Sequence, residues 1–192
     1  MSQPQLDLFA PTAPATPQDL RYVEGLITPD EEAALVQTVA ELPFKPFEFH
    51  GYLGNRRVVS YGARYDYGRQ AVAAAPPVPA FLAPLREKAA AFAGLWPEAF
   101  SQAMVTEYAP GAGIGWHRDK PQFGQVVGVS LLSGCALRFR RRLAAGGWER
   151  LTLHPAPRSA YLLDGDARWE WQHSIPPVDA MRYSVTFRRF PR

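Results

Sequence analysis

From Gln102 to the C-terminus the chain breaks into short β-branched and aromatic runs separated by Gly, Pro and Asp. The runs are Ala103 to Tyr108, Val126 to Leu132, Ala136 to Arg142, Trp148 to Leu153, Ala160 to Leu163 and Arg182 to Phe190. Strands this short cannot bury an apolar face alone and must stack as two sheets, so the pattern predicts a sandwich or jelly roll. Two helices are expected ahead of them. After a short strand from Tyr22 to Ile27, Thr28-Pro29-Asp30-Glu31 reads as a capping box with proline at the first helical position, opening a helix to about Leu42. A second helix, rich in Ala and Leu, is expected over Val78 to Ala93 and should cover a sheet. The expected class is therefore α+β, mainly β: a jelly roll with flanking N-terminal helices.

At 192 residues, with 47% hydrophobic and 12% aromatic side chains, the chain can bury one core. Residues 1–19 hold Pro4, Pro11, Pro14 and Pro17 among Gln, Thr and Ala and read as a flexible tail, leaving 20–192 as the domain. Cys135 is the only cysteine, so no intrachain disulfide can form and a reducing cytoplasm is the expected setting. No apolar run reaches the roughly 18 residues of a membrane helix. A net charge of +3 is compatible with a polyanionic partner without demonstrating one.

In Tyr108-Ala-Pro-Gly-Ala-Gly-Ile-Gly-Trp-His117-Arg-Asp119-Lys a Gly-rich turn leads into a histidine and an aspartate two apart. On an extended backbone alternate side chains share a face, so an imidazole and a carboxylate converge. His173, beside the Trp169 to Trp171 run that is expected to be extended, is the best-placed third ligand. Two imidazoles and one carboxylate on one triangular face leave three octahedral positions for a co-substrate and O₂. His50 and His154 read as surface or packed side chains.

An independent element is Arg182-Tyr-Ser-Val-Thr-Phe-Arg188, where alternation puts positions 182, 184, 186 and 188 on one face. Two inward guanidiniums are costly unless carboxylates meet them, and a dicarboxylic co-substrate supplies two. The alternative is a basic edge strand paired with surface acids.

Together these residues resemble the AlkB family of 2-oxoglutarate- and Fe(II)-dependent dioxygenases over roughly residues 20 to 190. The family pattern Y-x-P-G…H-x-D…H…R-Y-x-x-T-F-R is met by Tyr108, Pro110, Gly111, His117, Asp119, His173, Arg182, Tyr183, Thr186, Phe187 and Arg188. The resemblance implies a double-stranded β-helix. It implies Fe(II) on His117, Asp119 and His173, with Arg182 and Tyr108 on the distal carboxylate of 2-oxoglutarate and Arg188 near its C1 end. Thr106 and Ser184 occupy positions where several relatives carry Asn. Arg56-Arg57-Val-Val-Ser-Tyr61-Gly62 is similar to the nucleotide-recognition stretch P-R-x-x-x-x-Y-G, with Asn55 in place of proline. Substrate contacts are accordingly expected from Arg56, Arg57, Tyr61, Tyr65 and Trp116, with Arg64, Tyr67 and Arg69 extending the aromatic and basic mixture. Where many base-demethylating members carry an acid two places after the ligand aspartate, this chain has Pro121, which leaves base preference open. The run Arg138-Phe139-Arg140-Arg141-Arg142 either lines a nucleic-acid path or is solvated.

The expected activity is oxidative dealkylation of a base in DNA or RNA, coupled to decarboxylation of 2-oxoglutarate to succinate. The alternatives are a hydroxylase of a protein side chain or small molecule, and a jelly-roll binding module without turnover. In the tail, Gln5-Leu6-Asp7-Leu8-Phe9 resembles the peptide by which bacterial repair and replication proteins dock on the sliding clamp; it can equally pack on its own domain.

Overall fold

The computed structural model of the chain describes residue 17, residues 19–49 and residues 52–191. The Gln5-Leu6-Asp7-Leu8-Phe9 peptide and His50 lie outside the described residues. Strand β1 (Leu20–Val23) leads to helix α1 (Pro29–Ala40), then to β2 (Lys45–Phe49), β3 (Tyr52–Tyr61) and the hairpin of β4 (Ala63–Asp66) and β5 (Ala71–Ala74). Helix α2 (Ala83–Ala93) precedes β6 (Gln102–Tyr108), β7 (Ile114–His117), β8 (Val126–Leu131), β9 (Leu137–Arg142) and β10 (Trp148–Leu153). Then come β11 (Ala160–Leu163), α3 (Gly165–Trp169), β12 (Gln172–Ile175) and β13 (Arg182–Arg188).

From β6 onward the chain winds back and forth between two antiparallel sheets. The large sheet has the order β1-β11-β8-β13-β6-β3-β2 and the small sheet β10-β9-β12-β7. This is the jelly roll expected from the run of short strands, with α1 and α2 ahead of it.

Alternation along the central strands decides which side chain meets which layer. Tyr183, Val185 and Phe187 of β13 join Val127, Val129 and Leu131 of β8 in a core that includes Leu35 and Val39 of α1 and Leu85 and Ala89 of α2. Each such large side chain, once buried, contributes about 1.5–3 kcal/mol. The intervening β13 positions face the small sheet, where a second core forms around Val126, Leu137, Phe139, Tyr161, Leu163 and Trp171. Gly128 is required there, because a Cβ at that position would lie 2.3 Å from the Tyr161 ring.

The capping box forms as read: Thr28 Oγ1 accepts from Glu31 N (3.2 Å), and Thr28 N donates to Glu31 Oε2 (2.8 Å). Glu31 also accepts from Lys88 Nζ at 2.7 Å, tying α1 to α2. Other boundaries move. The first strand spans Leu20–Val23, not Tyr22 to Ile27, because its partner β11 sets Leu20 opposite Leu163. The second helix begins as a short 3₁₀ turn at Ala80–Leu82, since the residue before Pro79 is disfavoured in helical geometry. The expected extended run at Trp169 is corrected: Asp164 caps α3 by accepting from Gly165 N at 2.9 Å, and Trp169 closes that helix.

An apolar groove between α1 and α2, lined by Leu35, Phe81 and Leu85, involves the helix layer and contains none of the candidate ligands. No helix among the described residues is long and apolar enough to cross a membrane.

Candidate metal centre

Pairing of β7 with β12 sets His117 directly opposite His173. Gly113 permits the close approach of these segments, since a Cβ there would lie 2.6 Å from the Ile175 carbonyl oxygen. The two imidazole centroids are 4.3 Å apart. Asp119 follows just past the end of β7, with its Oδ2 3.7 Å from His173 Nε2. All three side chains line one cavity between the sheets, together with Thr106, Tyr108, Ser184 and Arg188. His117 Nδ1 sits 2.9 Å from the Gly115 carbonyl oxygen; donation there leaves the Nε2 lone pair for a metal.

The charge states suit ligation, which requires neutral imidazoles and an ionised carboxylate. Burial, reinforced by His117, pushes His173 down to about 3. Burial lowers His117 too, with Asp119 opposing. Burial alone would raise the Asp119 carboxyl, but Arg188, backed by His173 and His117, holds it below the usual carboxylate range. Arg188 reaches Asp119 Oδ1 through Nη2 (2.8 Å) and Nε (3.0 Å). That pull explains the 3.7 Å gap to His173, wider than the roughly 3 Å between adjacent donors bonded at about 2.1 Å to one ion. Accordingly, no three such donors among the described residues are closed to metal-binding distance. The donor set, tautomer and charge nonetheless fit a divalent ion.

These shifts have a consequence for the metal-free protein. Between the ordinary histidine value near 6.5 and the folded value of about 3, the unfolded chain takes up a proton that folded His173 refuses. Stability is therefore expected to fall as pH drops below that upper value, by about 1.4 kcal/mol per unit per histidine, and to level off near the lower one. Melting temperatures at pH 7.5 and 5.5 test this. His117, also lowered by burial, adds to the slope, so His173→Asn should remove the His173 share and leave the rest; an unchanged pH dependence in that variant would refute the assignment.

Arg182, 1% exposed, stands opposite the cavity residue Tyr108 in the β6–β13 register. Its Nη2 donates to Ser130 Oγ at 2.9 Å and its guanidinium lies 5.0 Å from the Tyr108 ring centroid. Its Nε and Nη1 are buried without a hydrogen-bond partner. An uncompensated buried guanidinium is costly, and a carboxylate of a ligand would supply the missing acceptors in fork geometry. Thr106 and Ser184 face each other in the β6–β13 register along the wall between. Arg188, expected near the other carboxylate, spends its donors on Asp119 and on Gln102 Oε1 (3.1 Å).

Arg168 was not anticipated from the sequence. It is 3% exposed and donates to the carbonyls of Lys120 (2.7 Å), Gly124 (2.8 Å) and Phe123. It thereby fixes the loop that follows Asp119. An arginine that caps buried carbonyls leaves no periodicity to read, because its partners are backbone atoms.

The expected substrate contacts divide. Arg56 lies 3.7 Å over the Phe47 ring, with its Nε buried and unpartnered, within electrostatic reach of Tyr108 and Asp119. Tyr65 and Tyr67 on the β4–β5 hairpin pack edge to face at 5.0 Å, each 4.9 Å from Lys120 Nζ, next to Asp119. Arg57 and Tyr61 do not join this rim. In the β3–β6 register they sit opposite Glu107 and Ala103, so Arg57 binds Glu107 at 2.6 Å and Tyr61 enters the helix-side core. Trp116 alternates with His117 onto the outer face of the small sheet, against Arg138 and Arg140.

The 2OG-Fe(II) oxygenase superfamily matches the chain over residues 19–188. An uncharacterized protein of Acanthamoeba polyphaga mimivirus is 35% identical over 100 residues, covering 45% of this chain and 47% of that protein. The Alkylated DNA repair protein ALKBH8 homolog of Arabidopsis thaliana is 30% identical over 162 residues, covering 71% and 46%. The chain thus spans about half the length of the curated relatives it matches. Among solved structures, OsALKBH1 superposes with a TM-score of 0.70 at 14% identity, covering 93% of this chain and 100% of that one. A Pseudomonas putida prolyl-4-hydroxylase gives 0.58 at 17% identity, covering 91% and 94%. At these identities the two structures speak for the fold.

Proposed function

The chain belongs to the 2OG-Fe(II) oxygenase superfamily, and from that membership we propose that it oxidatively dealkylates bases in nucleic acid, with His117, Asp119 and His173 holding the metal and Arg182 a carboxylate of 2-oxoglutarate. It is a dioxygenase, with Fe(II) as cofactor and 2-oxoglutarate and O₂ as co-substrates. When bound, the iron activates O₂ with electrons drawn from 2-oxoglutarate. The protein's own part is to hold donors and charge in place. Asp119 is kept ionised beside Arg188, and His117 is fixed in one tautomer by Gly115.

The observation that carries this reading is Arg182, a buried guanidinium with two unpartnered nitrogens, in the fold that also gathers the three candidate ligands. A base as substrate is supported by the rim: Tyr65 and Tyr67 offer rings to a flipped base, and Arg56 and Lys120 offer charge to its phosphates. The relative named as an alkylated DNA repair protein points the same way.

The test is succinate formation by the iron-loaded enzyme on a panel of alkylated single-stranded DNA, duplex DNA and RNA oligonucleotides, with mass spectrometry of the recovered bases. An alkylated oligonucleotide should stimulate succinate well above the uncoupled rate and lose its alkyl group. If none does, while a peptide or small molecule is hydroxylated, the substrate assignment is wrong.

A further inference from the structure

Strand β9 carries four arginines, and alternation divides them between its faces. Arg141 is surrounded by acids: Glu149 at 2.8 Å, Glu170 at 3.1 Å and Asp166 at 3.8 Å. Arg138, Arg140 and Arg142 turn the other way, and the β9–β10 register sets Thr152, Arg150 and Trp148 beside them. On the opposite flank β12 contributes Ser174 and Gln172. Trp116 of β7 completes the face, 5.3 Å from Arg138 and 4.4 Å from Arg140. The Trp148 ring lies 4.2 Å from Arg140 and 5.6 Å from Arg142, so Arg140 contacts both indoles.

This is a cationic array anchored at Arg138 and Arg140. Nε of Arg138 donates to Ser174 Oγ (3.2 Å) and Nε of Arg140 to Gln172 Oε1 (2.7 Å), which anchors each guanidinium at its inner edge. Among the described residues none of Arg138, Arg140, Arg142 and Arg150 forms an ion pair. A rise of about 3.3 Å per residue sets successive outward arginines of β9 roughly 6.6 Å apart. Glu149 of β10, with Asp166 of α3 and Glu170 just after it, is drawn to Arg141 instead.

We infer that the outer face of the small sheet binds the phosphodiester backbone of single-stranded nucleic acid, outside the catalytic cavity. Guanidinium forks match phosphate oxygens bidentately, and side chains already held by stacking lose little freedom on binding. Indoles interleaved with the arginines give bases a surface to stack on without reading sequence. An anionic lipid surface fits less well, because adsorption there relies on apolar side chains entering the acyl boundary, and the apolar side chains named on this face are two indoles packed against arginines. The inference deepens the substrate reading above and rests on it for the identity of the strand. Trp116 adjoins His117, so a strand on this face would run beside the segment that carries a candidate ligand.

The experiment measures binding without turnover: fluorescence anisotropy of the full chain with a labelled, unmodified oligothymidylate, across a salt series. The variant Arg140→Gln/Arg142→Gln/Arg150→Gln should weaken binding at least tenfold at 0.15 M salt, and the slope of log K against log salt should fall by about 2, at roughly 0.7 per phosphate contact. The corresponding triple lysine variant should retain most of the slope. Uncoupled succinate formation, unchanged in both, shows that the fold and cavity are intact. Wild-type affinity in the glutamine variant overturns the inference, as does a wild-type protein that binds only phosphatidylserine vesicles or neither probe. Failure of the function reading looks different: no alkylated substrate is turned over, yet oligothymidylate binding still depends on the three arginines.

Discussion

Replacing Arg182 with methionine is expected to raise KM for 2-oxoglutarate at least about a hundredfold, a loss of some 2.7 kcal/mol, while leaving the melting temperature of the ligand-free protein unchanged or higher. The two effects have one cause. In the free protein the Arg182 guanidinium is buried with a single hydrogen bond to Ser130, and its Nε and Nη1 are unpartnered. Exchanging a poorly compensated buried charge for an apolar side chain of similar length is commonly neutral or stabilising. The same charge becomes an asset once a carboxylate arrives, so the variant loses only what the ligand brings. Added 2-oxoglutarate at a hundred times the wild-type Kd should stabilise the wild type by about 2.7 kcal/mol and the variant by no more than about 0.4 kcal/mol. Arg182→Lys should not restore binding, since a point charge lacks the fork. A methionine variant with normal KM, or one that melts well below the wild type, would show that Arg182 is a structural residue.

His173→Ala is expected to abolish stoichiometric Fe(II) binding and to lower coupled turnover about 10³-fold or more, some 4 kcal/mol of lost stabilisation. His173 supplies one of the two imidazoles that line the cavity among the described residues, and a facial arrangement with two protein donors holds a first-row metal weakly. Anaerobic titration with Fe(II), or with Co(II) followed by its visible spectrum, reads the effect directly. His154→Ala is the control, being exposed and away from the cavity. Full metal occupancy in the His173 variant would remove that residue from the ligand set. Asp119→Asn should also lose metal, and it should lower stability as well by leaving Arg188 with a neutral partner in a buried setting.

Much of this was legible in the sequence because local chemistry and fold agree there. Runs such as Trp148–Leu153 and Ala160–Leu163 are bounded by turn residues and become strands at those bounds. The Arg182 to Arg188 segment alternates cleanly, and Ser184, Thr186 and Arg188 share the cavity face as that alternation predicts, with Tyr183, Val185 and Phe187 on the other. Thr28-Pro29-Asp30-Glu31 encodes its cap within four residues. The errors arise where a distant partner decides. The stretch Arg56-Arg57-Val58-Val59-Ser60-Tyr61 has no period-2 polarity, so only its register against β6 sends Arg56 toward the cavity and Arg57 and Tyr61 away from it. Trp116, expected among the substrate contacts, neighbours His117 in β7, and adjacent strand residues point apart, which puts it on the outer face of the small sheet. Arg168 acts on carbonyls of a loop far along the chain, which no pattern in its own neighbourhood records.

Strand β13 places Tyr183, Val185 and Phe187 against the helices and Ser184, Thr186 and Arg188 on the cavity wall. A single inserted or deleted residue at its start would exchange these two sets, driving aromatic rings into the ligand space and guanidiniums into the apolar layer. Heritable length changes in this chain should therefore be tolerated in the hairpins and loops and excluded from β13, where a frame of one residue carries both the stability of the protein and its chemistry.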